Sequence, residues 1–185
     1  MRVISGDFRG RRLFSLTGKI TRPTTDKVKE SIFNMVGPYF NGGTCLDLFA
    51  GSGSLGIEAI SRGMDQAILV DHSFQAMKVI RENVLLTKSE GRFSLVKRDA
   101  DLALSDFAFS KECFDLVFLD PPYKEQKIEE QLNKMQALDL LSQYAIIVAE
   151  TNKDVVLPEK VGKLVQYRKQ VYGGSAVQLY SFKSL

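Results

Sequence analysis

From residue 44 onward the chain alternates short, unbroken apolar runs with stretches whose apolar residues recur every three or four positions. The runs lie at 44–49, 66–70, 93–96, 114–119 and 145–149. An unbroken run reads as a strand buried on both faces, the signature of a parallel sheet. Between the runs, a helix over 55–62 is closed by Gly63, and Phe74, Met77, Ile80 and Val84 line one face of another. A polar amphipathic helix is expected over 125–138. Five strand–helix steps predict an α/β fold: a mostly parallel sheet with helices on both faces. The end of the chain differs. Apolar-rich stretches at 164–172 and 176–182 flank Gly173-Gly174 and predict a C-terminal antiparallel hairpin.

The beginning of the chain follows neither pattern. Residues 1–16 read as a small β-hairpin, with strands at 3–5 and 13–16, a turn over 6–10, and Arg9, Arg11 and Arg12 around it. Thr24 or Thr25 can cap a helix that runs to Val36, carries Val28, Ile32, Met35 and Val36 at helical spacing, and stops at Gly37-Pro38. The expected organisation is a basic hairpin arm over 1–22 and one α/β domain over 23–185.

Composition adds boundaries to this picture. A chain of 185 residues that is 44% apolar can build a core without disulfides or structural metal. Its longest apolar stretches run about six residues against the roughly 20 of a membrane span, and MRVISGDFRG lacks the apolar region of a secretory signal. A cytoplasmic protein without membrane contact is expected. Cys45 and Cys113 lack any metal-binding spacing and read as reduced core thiols. Net charge is only +3, but residues 1–40 carry +5, residues 41–152 carry −6 and residues 153–185 carry +4. Basic ends around an acidic middle suggest a polyanion docked beside an acidic catalytic body.

The candidate chemistry begins after the first strand, at Asp47-Leu48-Phe49-Ala50-Gly51-Ser52-Gly53-Ser54-Leu55-Gly56. Gly51, Gly53 and Gly56 form GxGxxG between a strand and a helix, a turn in which backbone can approach a ligand closely. A leucine at 53 is expected to fill the ligand's space. Asp71 ends the second strand 20 residues after Gly51, where a carboxylate accepts from ribose hydroxyls. This much fits a dinucleotide or S-adenosylmethionine. Asp47, at the carboxyl end of the first strand, favours the latter, because a carboxylate suits an ammonium or sulfonium and opposes a pyrophosphate. Asp99-Ala100, after the third strand, stands where an adenine would lie, although Asp99 could equally cap a helix. His72 is expected to be exposed beside Asp71, and Asp101 and Asp106 to be solvated.

The fourth run ends in Asp120-Pro121-Pro122-Tyr123. The two prolines supply no N–H, so carbonyls of this turn remain available as acceptors, and Tyr123 offers a face for stacking a base. The amino group of a nucleobase is a poor nucleophile because its lone pair is delocalised into the ring. Asp120 and a neighbouring carbonyl, by accepting its N–H groups, would favour a pyramidal nitrogen and stabilise the charge that develops on methyl transfer. That reaction needs no metal and no covalent enzyme intermediate.

Asp-Pro-Pro-Tyr resembles the signature of amino-group methyltransferases of the class I, Rossmann-like type. RVISGDFRGRRL at 2–13, RPTTDKVKESIFNMV at 22–36, LDLFAGSGSLGIEAISRG at 46–63, DPPY at 120–123 and YGGSAVQLY at 172–180 together resemble the bacterial 16S rRNA guanine(966)-N2 methyltransferase family. The resemblance spans nearly the whole chain. It implies direct methylation of a guanine N2 amine in 16S rRNA, with S-adenosyl-L-methionine as donor and S-adenosyl-L-homocysteine as product. It assigns Asp47, Gly51, Gly53 and Asp71 to the donor site, with Asp99 facing adenine, and Asp120, Pro121, Pro122 and Tyr123 to the guanine amine; Phe49, Ala50 and Ala100 are expected beside them in the donor site. Arg9, Arg11, Arg12, Arg22 and Lys27, with Lys29 on the same helix, are the expected RNA contacts, and a monomer acting on a small-subunit particle is the expected form. The residues leave three alternatives: a DNA adenine-N6 or cytosine-N4 methyltransferase, a nicotinamide-dependent dehydrogenase, and a non-catalytic RNA-binding module. The role of the Tyr172-Gly173-Gly174 turn is left open.

Overall fold

The computed structural model describes residues 1–16 and 25–182. Thr24, Arg22 and the expected boundary between residues 22 and 23 lie outside the described residues. The apolar runs form strands β1 (Thr44–Asp47), β2 (Gln66–Asp71), β3 (Phe93–Lys97), β4 (Phe114–Leu119) and β5 (Leu141–Asn152). They are followed by β6 (Lys160–Val161), β7 (Leu164–Tyr172) and β8 (Ser175–Ser181). The sheet runs β3-β2-β1-β4-β5-β8-β7-β6. Strands β1 to β5 pair in parallel and β5, β8, β7 and β6 pair antiparallel. The predicted terminal hairpin is therefore present, with β8 inserted between β5 and β7. The two-residue β6 and the extra length of β5 were not legible in the apolar pattern.

Helices α1 (Asp26–Val36), α2 (Ser54–Ser61) and α3 (Phe74–Thr87) cover one face of the sheet, and α4 (Ala100–Ser110) and α5 (Ile128–Ala137) cover the other. Thr25 caps α1, its hydroxyl accepting from the Val28 N–H at 3.3 Å. The packed stripe of α3 contains Met77, Ile80 and Val84, but Phe74 is 77% exposed. Residues 74, 77 and 80 are spaced by threes, and each such step falls about 60° short of a 3.6-residue turn, which rotates Phe74 off the stripe. Cys45 is buried, whereas Cys113 is exposed in the link between α4 and β4 rather than in the core.

The N-terminal hairpin departs further from expectation. Its pairing involves residues 1–3 and 11–13: Val3 N–H donates to Arg11 O at 2.9 Å and Leu13 N–H to Met1 O at 3.0 Å, around a single Arg2–Arg12 bridge. Residues 4 and 5 leave the ladder because Ile4 and Ser5 donate their N–H groups to the two Glu58 oxygens, at 2.9 and 3.0 Å. Glu58 lies in α2, where all eight residues are buried. It also pairs with Lys29 at 3.3 Å and Arg62 at 2.8 Å, all three side chains being at most 3% exposed. Burial pulls the Lys29 ammonium pKa down, and Glu58 opposes that pull. Lys29 is thus part of the core and not of a basic surface, a correction to the helix face read from spacing. The hairpin's own Val3, Phe8 and Leu13 join the same core as α1 and α2, so residues 1–16 do not form a detached arm.

Candidate active site

A parallel sheet whose chain moves outward from β1 through β2 to β3, then returns to β4 beside β1, opens a crevice at the carboxyl ends of β1 and β4. The predicted donor-site and amine-site residues come to this edge from different loops. Asp47 is level with Leu69 of β2 and Phe118 of β4, so Asp71 and Asp120 each stand two residues beyond that level. Asp99 follows β3 on the same edge.

Asp47 is 1% exposed. Its Oδ2 accepts from the Gly56 N–H at 3.2 Å, whereas Oδ1 is buried with no hydrogen-bond partner among the described residues. Burial pushes its carboxyl up from about 3.8 to about 7; the Gly56 N–H opposes this shift and the Asp71 charge adds to it. Asp71 organises the glycine turn through backbone bonds. Its Oδ2 accepts from Gly51 N–H at 3.0 Å and its Oδ1 from Ser73 N–H at 2.9 Å. Phe49 is half-buried, and Ala50 is buried with its N–H on Val70 O at 2.8 Å.

The glycines divide the work differently from the sequence reading. Gly51 has φ +58° and, among the described residues, a Cβ there would meet only Leu16, at 3.7 Å. A Cβ on Gly53 (φ +81°) would instead point into Leu69, Ile80 and Ile57 at 3.4–3.6 Å, and one on Gly56 would approach Leu69 to 2.2 Å. A leucine at 53 would therefore invade the core rather than the ligand's space. Asp99 is exposed and caps α4, its Oδ1 accepting from Asp101 and Leu102 N–H at 2.9 and 3.2 Å; Ala100 is half-buried behind it. His72 is exposed, as expected, and Asp106 pairs with Arg98 at 3.0 Å.

At the end of β4, Asp120 is half-buried, Pro121 buried and Pro122 exposed. Tyr123 is 48% exposed and opens a short 3-10 turn, Tyr123–Glu125. That turn uses one expected acceptor, because Pro122 O accepts from the Glu125 N–H at 2.9 Å. Of the expected RNA contacts, Arg9, Arg12 and Lys27 are exposed. Arg11 is half-buried and already engaged: its guanidinium stacks on Phe8 at 5.0 Å and donates to Leu86 O at 2.6 Å.

One residue that the sequence reading missed ties these parts together. Asn83 is fully buried. Its Nδ2 donates to Ser52 O in the glycine turn at 2.8 Å and to Phe14 O at 2.9 Å, while its Oδ1 accepts from Phe14 N–H at 2.7 Å. Its signal was an amide set between Ile80 and Val84 on an otherwise apolar stripe.

Comparison with known proteins agrees across sequence and structure. Residues 1–181 match the model of a family described as conserved hypothetical protein 95. The chain is 34% identical over 180 residues to ribosomal RNA small subunit methyltransferase D of Escherichia coli (strain K12), covering 97% of this chain and 89% of that protein. It is 49% identical to a Bacillus subtilis protein described as a candidate rRNA methyltransferase, over 97% of this chain and 98% of that one. It is also similar to the solved structure of an Escherichia coli candidate methyltransferase, with 34% identity, a TM-score of 0.83, and coverage of 97% and 96% of the two chains.

Proposed function

This chain belongs to the family of conserved hypothetical protein 95 and ribosomal RNA small subunit methyltransferase D, and on that premise we propose that it methylates the exocyclic N2 amine of a guanine in 16S rRNA. The methyl donor in this reading is S-adenosyl-L-methionine, which supplies an electrophilic methyl group and leaves as S-adenosyl-L-homocysteine. The enzyme acts as a cytoplasmic monomer on a small-subunit particle. The observation that carries the reading is the crevice between β1 and β4, which sets Asp120-Pro121-Pro122-Tyr123 on the same sheet edge as the glycine turn and Asp47.

The residues present fit such a donor. The Oδ1 of Asp47, buried and without a partner among the described residues, suits a cationic ligand group, since an unpaired buried acceptor is costly to leave so. Among the described residues Gly51 has only Leu16 beside it, in ordinary contact at 3.7 Å. Asp71 would take the ribose hydroxyls, Phe49, Ala50 and Gly53 would shape the turn, and Asp99 with Ala100 would border the adenine. On the other wall, the Asp120 carboxylate and the Pro121 carbonyl accept the two N–H groups of the target amine. Pro122 O is already bonded within its own turn, so it is not the second acceptor. Tyr123 stacks on the guanine. The nitrogen gains the methyl and loses a proton, and Asp120 is the base nearest in the chain to receive it.

The reading is tested by mapping methylated nucleotides of 16S rRNA from cells with and without the gene. One N2-methylguanine is expected to disappear with the gene; identical maps would overturn the assignment.

Asp47 gives the donor site a pH dependence. With its carboxyl raised to about 7 in the folded protein, the folded state keeps a proton between about pH 4 and 7 that the unfolded chain has released. Stability of the donor-free protein therefore falls as pH rises through that window. A cationic donor prefers the ionised form, so its affinity should rise from pH 6 to pH 8, and binding at pH 6 should release a proton. Calorimetry in buffers of different ionisation enthalpy measures both. Asp47→Asn should flatten the profile, and a flat profile in the unaltered protein would refute this role for Asp47.

The basic rim has a separate signature. Each phosphate contact contributes about −0.7 to the slope of log K against log salt for a single strand. Arg9→Ala with Arg12→Ala should therefore flatten the slope for 16S rRNA by about 1.4, while Arg11→Ala should act mainly through loss of its Leu86 bond. An unchanged slope in the double variant would make these arginines simply solvated.

A further inference from the structure

A cavity of about 660 Å³ lies between α1 and the N-terminal hairpin, lined by neither the glycine turn nor the Asp-Pro-Pro-Tyr turn. From α1 it receives Lys27, Glu30 and Asn34, which follow one another at helical spacing. From the hairpin side it receives Ser5 and Arg9, and it is completed by Tyr39. The volume lies within the roughly 300–1,000 Å³ range of small-ligand sites.

Its chemistry is that of a nucleotide rather than of an anion alone. Tyr39 is 62% exposed, yet its hydroxyl is held by Ser5 Oγ at 2.8 Å, which fixes the ring while leaving surface for a base to stack on. Arg9 and Lys27 are exposed cations. Arg2, which also reaches the cavity, is paired with Asp26 at 3.2 Å. Glu30 would repel a phosphate placed against it, but its carboxylate accepts from the N–H edge of a base, and Asn34 one turn later can both donate and accept.

We propose that this cavity binds an unpaired nucleotide of the RNA substrate, distinct from the methylated one, with its base on Tyr39, its phosphate toward Arg9 and Lys27, and its N–H edge toward Glu30 and Asn34. This rests on the reading of the chain as an rRNA methyltransferase. The cavity serves recognition and not chemistry: it positions the strand whose target guanine enters the crevice. Arg9 then contributes both to the rim and to this pocket, while Tyr39 belongs to the pocket alone.

The two kinds of contact separate by salt. Stacking is insensitive to counterions, whereas phosphate contacts are not. Filter binding of small-subunit particles carrying unmethylated 16S rRNA across a potassium chloride series should show Tyr39→Ala weakened roughly ten- to hundredfold with an unchanged slope. Tyr39→Phe should retain most of the affinity, and Lys27→Ala should flatten the slope by about 0.7. In single-turnover methylation, Tyr39→Ala and Asn34→Ala should raise the RNA concentration for half-maximal rate far more than they lower the maximal rate. Guanosine monophosphate should fail to compete with RNA, and competition at micromolar concentration would replace the proposal with a free-nucleotide site. If the unaltered protein neither binds nor methylates the 16S rRNA of small-subunit particles, the underlying reading fails. If it does both and Tyr39→Ala and Asn34→Ala match it in affinity, the pocket alone is refuted.

Discussion

Asp120→Ala is expected to lower the single-turnover rate of methyl transfer by about 10²–10³-fold, the scale of removing one oriented electrostatic partner, while donor affinity measured by calorimetry stays within a factor of about two. The separation follows from the topology. Asp120 directly follows β4 while the glycine turn follows β1, so the carboxylate belongs to the wall that receives the amine. Asp120→Asn keeps one acceptor oxygen and should retain more rate than alanine, although it cannot accept the proton. Wild-type transfer by Asp120→Ala would remove the amine clamp from the mechanism, and an equal loss in donor affinity would move Asp120 to the donor's wall.

Glu58→Ala should be the most damaging single change outside the crevice. The carboxylate meets the charges of Lys29 and Arg62 and accepts the backbone N–H groups of Ile4 and Ser5, all within the buried layer between α2 and the hairpin. Removing one partner of a buried ion pair costs about 3–5 kcal/mol, because the remaining charge is left uncompensated. For a chain of this size that corresponds to a melting shift on the order of 10 °C. Glu58→Gln should lose nearly as much, since its amide nitrogen would confront donors on both sides. Thermal denaturation measures the effect, and a shift below about 2 °C would mean that the cluster relaxes without strain.

These expectations also mark where the sequence was informative. Strands β1 to β4 were legible because a doubly covered strand must be apolar on both faces, so each run of apolar residues could be read alone. The glycine turn, Asp71 and the Asp-Pro-Pro-Tyr turn were legible because each is a local string at a strand end, and parallel pairing guarantees that such ends meet. Lys29 and Glu58 were not legible in the same way. A lysine on a helix ordinarily reads as solvated, and its burial here depends on a carboxylate 29 positions away. Ile4 and Ser5 were read as strand residues because β-propensity reports what a backbone can do and not which acceptor it will meet. The engagement of Arg11 has the same origin: its carbonyl partner, Leu86, is separated by 75 residues. Cys113 was misplaced because proximity to an apolar run does not place a residue inside it.

The hydrogen bonds that fasten the hairpin also impose an order on the birth of the protein. Phe14 finds both of its partners on Asn83, 69 residues later, and Arg11 finds Leu86 after 75. On a ribosome adding roughly 5–20 residues per second, that separation is about 4–15 s of synthesis. Through this interval Val3, Phe8 and Leu13 have no finished surface to cover, and the backbone donors of Ile4 and Ser5 stay in water until α2 has emerged and folded. The hairpin is thus made first and fastened only once α2 and α3 have emerged. Its arginines are accessible to nascent-chain partners for seconds before the Asn83 bridge draws the hairpin and the glycine turn into one frame.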